Sequence, residues 1–452
     1  MVDASAFFRH LFLGVLALGV VFLGGPAHAQ KLESKLVIQT SYPKDMTRTF
    51  KTAFEKRHPG TTVEVLSKGT SASVKYIQAN RSNPPDLFWA SAPDAFEVLK
   101  DDDLLQKYTV KTKGLPKKVG AFPVHDPEGY YKGFAASGYG IMYNLRYLKA
   151  KGLPAPKEWD DLRKPIYFGH VGMSAPSRSG TTHLTVETIL QGKGWEKGWA
   201  AIKEMSGNFA AVTERSFGVP SAVNSGEFGV GIVIDFFGLS SQATGFPVEF
   251  VYPTVTTLVP ANIAVISGAK HPKAAAAFIE FLLSVEGQEI LLDPNIRRLP
   301  VNPKTYAKAP KGFPNPFKDK SIGAAVKFDL TKSKSRYNLI NSLFDQTITF
   351  RLGDLTATTK AIQDAERALA KKPNAKAAKL LKEARALLHA VPITEAQSLD
   401  PKVAGVFKKK RKKMTVKVPK RQAEVEEQWD RFSKKNYAEA RKLAGQALAM
   451  VK

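Results

Sequence analysis

The chain has 452 residues, and its 67 Lys and Arg against 41 Asp and Glu leave a formal net charge of +26, with no cysteine. A chain without cysteine has no disulfide, no thiol nucleophile and no thiolate metal ligand. An apolar share of 43% and an aromatic share of 10% exclude a disordered polymer, and the positive surplus favours anionic ligands or surfaces without choosing between a phosphate ester, a lipid headgroup and a nucleic acid.

The chain opens with Arg9 and His10, an apolar run from Leu11 to Leu23, then Pro26 and Ala27-His28-Ala29. This pattern predicts a signal peptide over residues 1–29, cut after Ala29. The run is short for roughly 30 Å of hydrocarbon, and no later stretch reads as membrane-spanning. About 420 residues remain, enough for two domains with or without an appendage.

"KLVIQTSY" reads as a strand with a polar end at Thr40 and Ser41. A helix follows, with Met46, Phe50 and Phe54 four apart and Pro59-Gly60 as its stop. "TTVEVLS" is the next strand, and Thr70, Ser71 and Ser73 open a helix after it. "PPDLFWAS" is a third strand, ending at Ser91. Strands alternating with helices at this rhythm predict a parallel α/β sheet. "YYKGFAASGYGIMYNLRYL", from Tyr130, reads as extended chain crossing to a second domain. There "VGMSAPSRSGTTHLTVETILQ" takes a strand through Ser177, Arg178, Ser179, Gly180, Thr181 and Thr182 into a helix. "VGIVIDFF" is a later strand with Asp235, Phe236 and Phe237 at its end, and "VEFVYPTVTTLVPANIAVISGAK" reads as the return crossing.

In this order the segments "LVIQTSY", "FEKRHPGTTVEV", "NPPDLFWAS", "SAPSRSGTTHLTVETILQGKGWEKGW", "AVNSGEFGVGIVIDFF" and "ANIAVISGAKHPKAAAAFIEFLLSVEGQEIL" resemble the periplasmic solute-binding proteins of ABC importers. The likeness is to the branch of ferric-ion, hexose-phosphate and phosphonate binders and the phosphoglycerate-transport regulatory type, over roughly Lys35 to Asn302. It implies a two-lobe α/β fold, type II-like, with a ligand in the cleft, a membrane permease as partner and a periplasmic location; Ser-x-Ser-Gly is no nucleophile elbow and the eight histidines lack His-Glu-x-x-His spacing, so no enzymatic activity and no cofactor are expected. Lobe 1 is expected over 30–134 and 260–320, lobe 2 over 135–259, and a basic, largely helical C-terminal extension over 321–452.

Ferric binders of this type carry a tyrosine pair where this chain has Asp235-Phe236-Phe237, and phenyl rings cannot ligate iron. Tyr130-Tyr131 stands elsewhere, and extended-chain alternation points its members to opposite faces. The expected ligand is therefore a small phosphorylated organic anion, with ferric-ion transport and ligand-dependent signalling to a membrane sensor as alternatives. The resemblance places the polar strand ends near the cleft: Thr40, Ser41, Thr70, Ser71, Ser91, Ser177, Ser179, Gly180, Thr181 and Thr182. One hydroxyl suffices to cap a helix, so "SRSGTT" suits an anion seat, with Gly180 letting the backbone come close. Arg178 and Arg215 are candidate counter-charges. Asp235 repels a phosphate and is expected to accept from a hydroxyl or amine of the ligand's other end. Trp89 and Phe236 are candidate apolar walls.

From Ala361 on, 23 Lys and Arg face 10 Asp and Glu, so 13 of the surplus charges (23 − 10) lie there. Residues 361–452 are expected to be dispensable for ligand binding. Their "KKKRKK" at Lys408–Lys413 would contact an anionic membrane surface or a sensor protein, with Trp429 and Phe432 as an apolar contact. The alternative is that Trp429 docks the segment on its own lobe. A nucleic-acid partner conflicts with the leader.

Overall fold

The computed structural model describes residues 31–408 and 415–452. The predicted signal peptide and most of "KKKRKK" lie outside the described residues.

Lobe 1 is built on the parallel strands Lys35–Thr40, Thr62–Ser67 and Leu87–Ala90, with Lys35–Thr40 in the centre. The helices Lys44–Arg57, Thr70–Ala79 and Pro93–Asp101 follow these strands in turn. Met46, Phe50 and Phe54 form the buried stripe of the first helix, and Phe50 packs edge-on against Trp89 with centroids 5.4 Å apart. Trp89 is thus a core residue and not a cleft wall. In lobe 2 the strands Val171–Ser174, Phe209–Thr213 and Val230–Ile234 are also parallel. The helices Gly180–Lys193, Gly218–Ser225 and Asp235–Ala243 begin after their ends.

One strand joins the lobes. Lys132–Asn144 is buried along its whole length. Its first half pairs antiparallel with Leu258–Ile266, from Lys132↔Ile263 to Gly138↔Leu258. Its second half pairs antiparallel with Val230–Ile234, from Tyr139↔Ile234 to Tyr143↔Val230. The chain crosses between lobes at Gly138-Tyr139. It returns through Tyr252–Thr257, between the strand Val248–Val251 and Leu258–Ile266. Continuous apolar strands are what a sheet covered on both faces requires.

The C-terminal extension is helical: Leu330–Ser335, Tyr337–Thr347, Leu352–Lys371, Ala375–His389 and Lys420–Ala449 are its main elements. It shares one core with lobe 2. Ile141, Trp199 and Val230 belong to the same cluster as Leu339, Phe344, Leu388 and Tyr437. Trp429 is 4% exposed and stacks on Phe407 with centroids 4.8 Å apart. The expectation that Trp429 offers an apolar contact to a partner is corrected by this burial; it packs within the core that the extension shares with lobe 2. Ala361 falls inside the helix Leu352–Lys371 and is no boundary.

Polar ties reinforce the docking. Arg336 donates two bonds of 2.9 Å to Glu187, and both side chains are fully buried. Glu204 accepts from Arg385 at 2.5 Å and pairs with His389 at 2.6 Å. The first two extension helices also reach lobe 1. Lys334 pairs with Asp101 at 2.9 Å, Tyr337 Oη lies 3.4 Å from Ser71 Oγ, and His183 of lobe 2 lies 3.2 Å from Asp94 of lobe 1 beside Ser333.

Candidate functional site

The strand ends of both lobes face one cleft. From lobe 1 it is lined by Ser41, Tyr42, Pro43, Gly69, Thr70 and Ser91; from lobe 2 by Arg178, Ser179, Thr181, Arg215, Ser216, Phe217, Phe236 and Phe237. Each group sits just beyond the carboxyl end of a parallel strand, where open α/β sheets place ligands. Helices start there at Thr70, Gly180, Gly218 and Asp235. A helix start leaves N–H groups without internal partners and carries about half a positive charge. Several such starts on one cleft make it attractive to anions.

The lobes stand closed on each other. The cleft's cavity is about 30 Å³, room for about two waters, so an organic ligand enters only when the lobes part. Gly180 is one point where the lobes meet closely. A Cβ on it would lie 2.7 Å from Ala92 Cβ and 3.1 Å from Thr70 Cγ2, both across the cleft in lobe 1. Its lack of a side chain thus serves lobe contact.

Of the residues expected at the site, Ser41, Thr70, Ser91, Ser179, Thr181 and Arg215 line the cleft, as do Arg178 and Phe236. Thr70 donates to Ser41 across 3.1 Å. Ser179 caps its helix, accepting from the Thr182 N–H at 3.3 Å. The others stand behind the wall. Thr40 is buried, donating to the Trp89 carbonyl at 2.8 Å and accepting from the Tyr42 N–H. Ser71 is turned to Tyr337, and Ser177 and Thr182 are buried outside the lining.

Asp235 is fully buried, and protein donors hold both its oxygens. Oδ2 accepts from the Gly138 N–H at 2.7 Å and Tyr252 Oη at 2.9 Å, and Oδ1 from the Phe236 N–H at 2.7 Å. It joins the two crossings to a helix start and does not line the cleft, so the expected contact with a ligand hydroxyl has no place in this arrangement. Burial pushes its carboxyl up to about 6 against the pull of those donors.

The guanidinium groups supply the charge. Arg178 donates to the Thr213 carbonyl at 3.3 Å and lies 3.4 Å from Glu214, with Nε unpartnered. Arg215 stacks on Phe217 at 4.7 Å, and burial lowers its pKa without removing the charge. A third arginine, Arg298, was not signalled by the sequence. It is fully buried against Tyr42, Ser91 and Phe236. Its only local sign is a pair of arginines between Ile296 and Leu299 in "NIRRLP", next to the short strand Leu299–Pro300.

Tyr130 and Tyr131 do not line the cleft: Tyr131 donates to Glu97 at 2.6 Å, and Tyr130 faces Lys100 and Lys107. Among the described residues the cleft lining holds no carboxylate, and no cluster of three or more His, Cys, Asp or Glu is placed to hold a metal.

Comparison with known proteins adds to this geometry. Residues 82–324 match the family described as bacterial extracellular solute-binding protein. The chain is 30% identical over 376 residues to the phosphoglycerate transport regulatory protein PgtC of Salmonella typhimurium, covering 82% of this chain and 89% of the relative. That is more residues than precede the helix Leu330–Ser335, so the match runs into the extension. It is 26% identical over 293 residues to an Fe(3+)-binding periplasmic protein of Serratia marcescens, covering 62% of this chain and 83% of that one. Among solved structures, the periplasmic binding protein AfuA of Actinobacillus pleuropneumoniae with fructose-6-phosphate bound superposes with a TM-score of 0.62 at 23% identity. It covers 69% of this chain and 98% of its own, a likeness of fold.

Proposed function

This chain belongs to the bacterial extracellular solute-binding protein family, and on that premise we propose that its cleft captures a small phosphorylated organic anion: a phosphoglycerate, a sugar phosphate or a phosphonate. The family carries the broader statement, capture of a small polar or ionic ligand outside the cytoplasm for an ABC-type importer, with no catalysis. The observation that carries the finer reading is the lobe 2 wall: Arg178 and Arg215 stand with helix starts and hydroxyls, and phenylalanines follow the Val230–Ile234 strand. A phosphate ester needs donors around its oxygens and positive charge nearby. A leader over residues 1–29 is part of the same proposal.

Ferric transport draws support from the Fe(3+)-binding relative. Ferric ion demands anionic oxygen ligands, and Tyr42 is the one phenol in the lining. Calorimetry with 3-phosphoglycerate, hexose phosphates, phosphonates, inorganic phosphate and ferric citrate decides between them. Tight ferric binding without phosphate-ester binding refutes the phosphate reading.

A regulatory role is favoured by the PgtC relative, whose match extends beyond the lobes. In this reading the liganded lobes signal to a membrane sensor through the extension, whose first helices touch both lobes. Hydrogen exchange over 330–347 tests it: protection that does not change on adding 3-phosphoglycerate sinks the role. The basic run at 401–420 would add contact with an anionic surface, and co-sedimentation with anionic vesicles that ignores salt would remove that contact.

A further inference from the structure

Arg298 is sealed directly behind the cleft wall, 0% exposed. Its guanidinium carbon lies 4.4 Å from the Tyr42 ring centre and 3.8 Å from that of Phe236. Nη2 donates to Ser91 Oγ at 3.0 Å and Nη1 to Ser137 Oγ at 3.3 Å, and Nε has no partner. One side chain therefore touches lobe 1 at Ser91, the crossing strand at Ser137 and lobe 2 at Phe236. Among the described residues no carboxylate is in ion-pair contact with it. Asp235 acts on it from a distance, with its own oxygens committed to Gly138, Phe236 and Tyr252. Burial lowers the guanidinium's pKa, yet the group stays charged.

A guanidinium only donates. Ser91 Oγ is an acceptor towards Arg298, so its single proton points away from that group. Ser91 lines the cleft, and a hydroxyl polarised by a buried cation is a strengthened donor. We propose that Arg298 is a positioning residue for anion capture: it holds Ser91 as a donor to an anionic oxygen of the ligand and supplies fixed positive charge behind the wall where the lobes meet. This rests on the phosphorylated-anion reading of the cleft. Lysine cannot replace it, because a point ammonium cannot lie flat between two rings and reach two hydroxyls.

The test is a cycle of wild type, Arg298→Lys, Ser91→Ala and the double variant, titrated with 3-phosphoglycerate, inorganic phosphate and ferric citrate, with thermal melts to certify folding. Arg298→Lys and Ser91→Ala should each weaken 3-phosphoglycerate binding about tenfold. The double variant should be no more than about threefold weaker than the weaker single, since one residue acts through the other. Multiplied losses, or wild-type affinity in Arg298→Lys, overturn the positioning role while leaving the phosphate reading intact. If Arg298→Lys fails to fold, Ser91→Ala still decides: unchanged phosphoglycerate affinity overturns the proposal. Wild-type protein that binds ferric ion and no phosphate anion overturns both.

Discussion

Gly180→Ala separates lobe closure from folding. Gly180 is the first residue of its helix, and alanine there is tolerated by the backbone and is the better helix former by up to about 1 kcal/mol. The new methyl would stand 2.7 Å from Ala92 Cβ and 3.1 Å from Thr70 Cγ2, where carbon pairs prefer about 3.5–4.0 Å. Both obstacles belong to the opposite lobe, so the clash is relieved by parting the lobes about 1 Å at this point rather than by distorting either core. A hydrogen bond of about 2.9 Å stretched by that amount is lost. One bond to a charged oxygen is worth about 1.5–3 kcal/mol, so affinity should fall roughly ten- to hundredfold. Calorimetry with 3-phosphoglycerate reads the loss, and small-angle scattering of the liganded protein should show a larger radius of gyration. The melting temperature without ligand should fall only as far as the stretched contacts between the extension and lobe 1 allow, with both cores intact. Affinity within threefold of wild type, or loss of the folded state of either lobe, would refute the closure argument.

Thr181→Val should weaken phosphoglycerate binding about tenfold in the same assay, because Thr181 lines the cleft and a hydrogen bond to a charged group is worth about 1.5–3 kcal/mol; Thr182→Val, buried outside the lining, should change it less than threefold. Arg336→Met leaves Glu187 buried and unpaired, which costs about 3–5 kcal/mol; urea unfolding should show that loss, and a loss under 1 kcal/mol would mean the extension does not depend on this pair. Burial alone would raise Glu204, but His389 and Arg163 bring its carboxyl down to about 2 from an ordinary 4.5. A lowered carboxyl stabilises the fold above its unfolded value, so about 3 kcal/mol should drain away as pH falls from 4.5 towards 2. Acid unfolding of Glu204→Gln should lack that limb of the profile, and an unchanged limb would discredit the assignment.

The cleft was legible where its signal was local. Hydroxyls at the end of a strand and the start of a helix announce themselves within a few residues, and Ser41, Thr70, Ser91, Ser179 and Thr181 all read that way. What escaped was set by residues far apart in the chain. Arg298 meets Ser91 across 207 positions, and nothing in "NIRRLP" says which arginine is buried. Asp235 looked free for a ligand because its donors, Gly138 and Tyr252, come from the two crossings. In the sequence Gly180 suggests close backbone approach to an anion, whereas its neighbours lie in the other lobe. The extension is a different case, since its signal was present. Buried Gln422, Glu426, Trp429, Ser433, Tyr437, Ala440, Ala444 and Ala447 recur every three or four residues along Lys420–Ala449, one face of a helix. Polar and small residues on that face, set among many charges, hid it. Its burial changes what the lobes can do. A hinge formed only by Gly138-Tyr139 and Tyr252–Thr257 could open freely, but here Lys334 and Tyr337 reach lobe 1 while Arg336 between them holds lobe 2. Every opening of the cleft must break or stretch one of these sets of contacts, so ligand entry and the position of the extension are coupled.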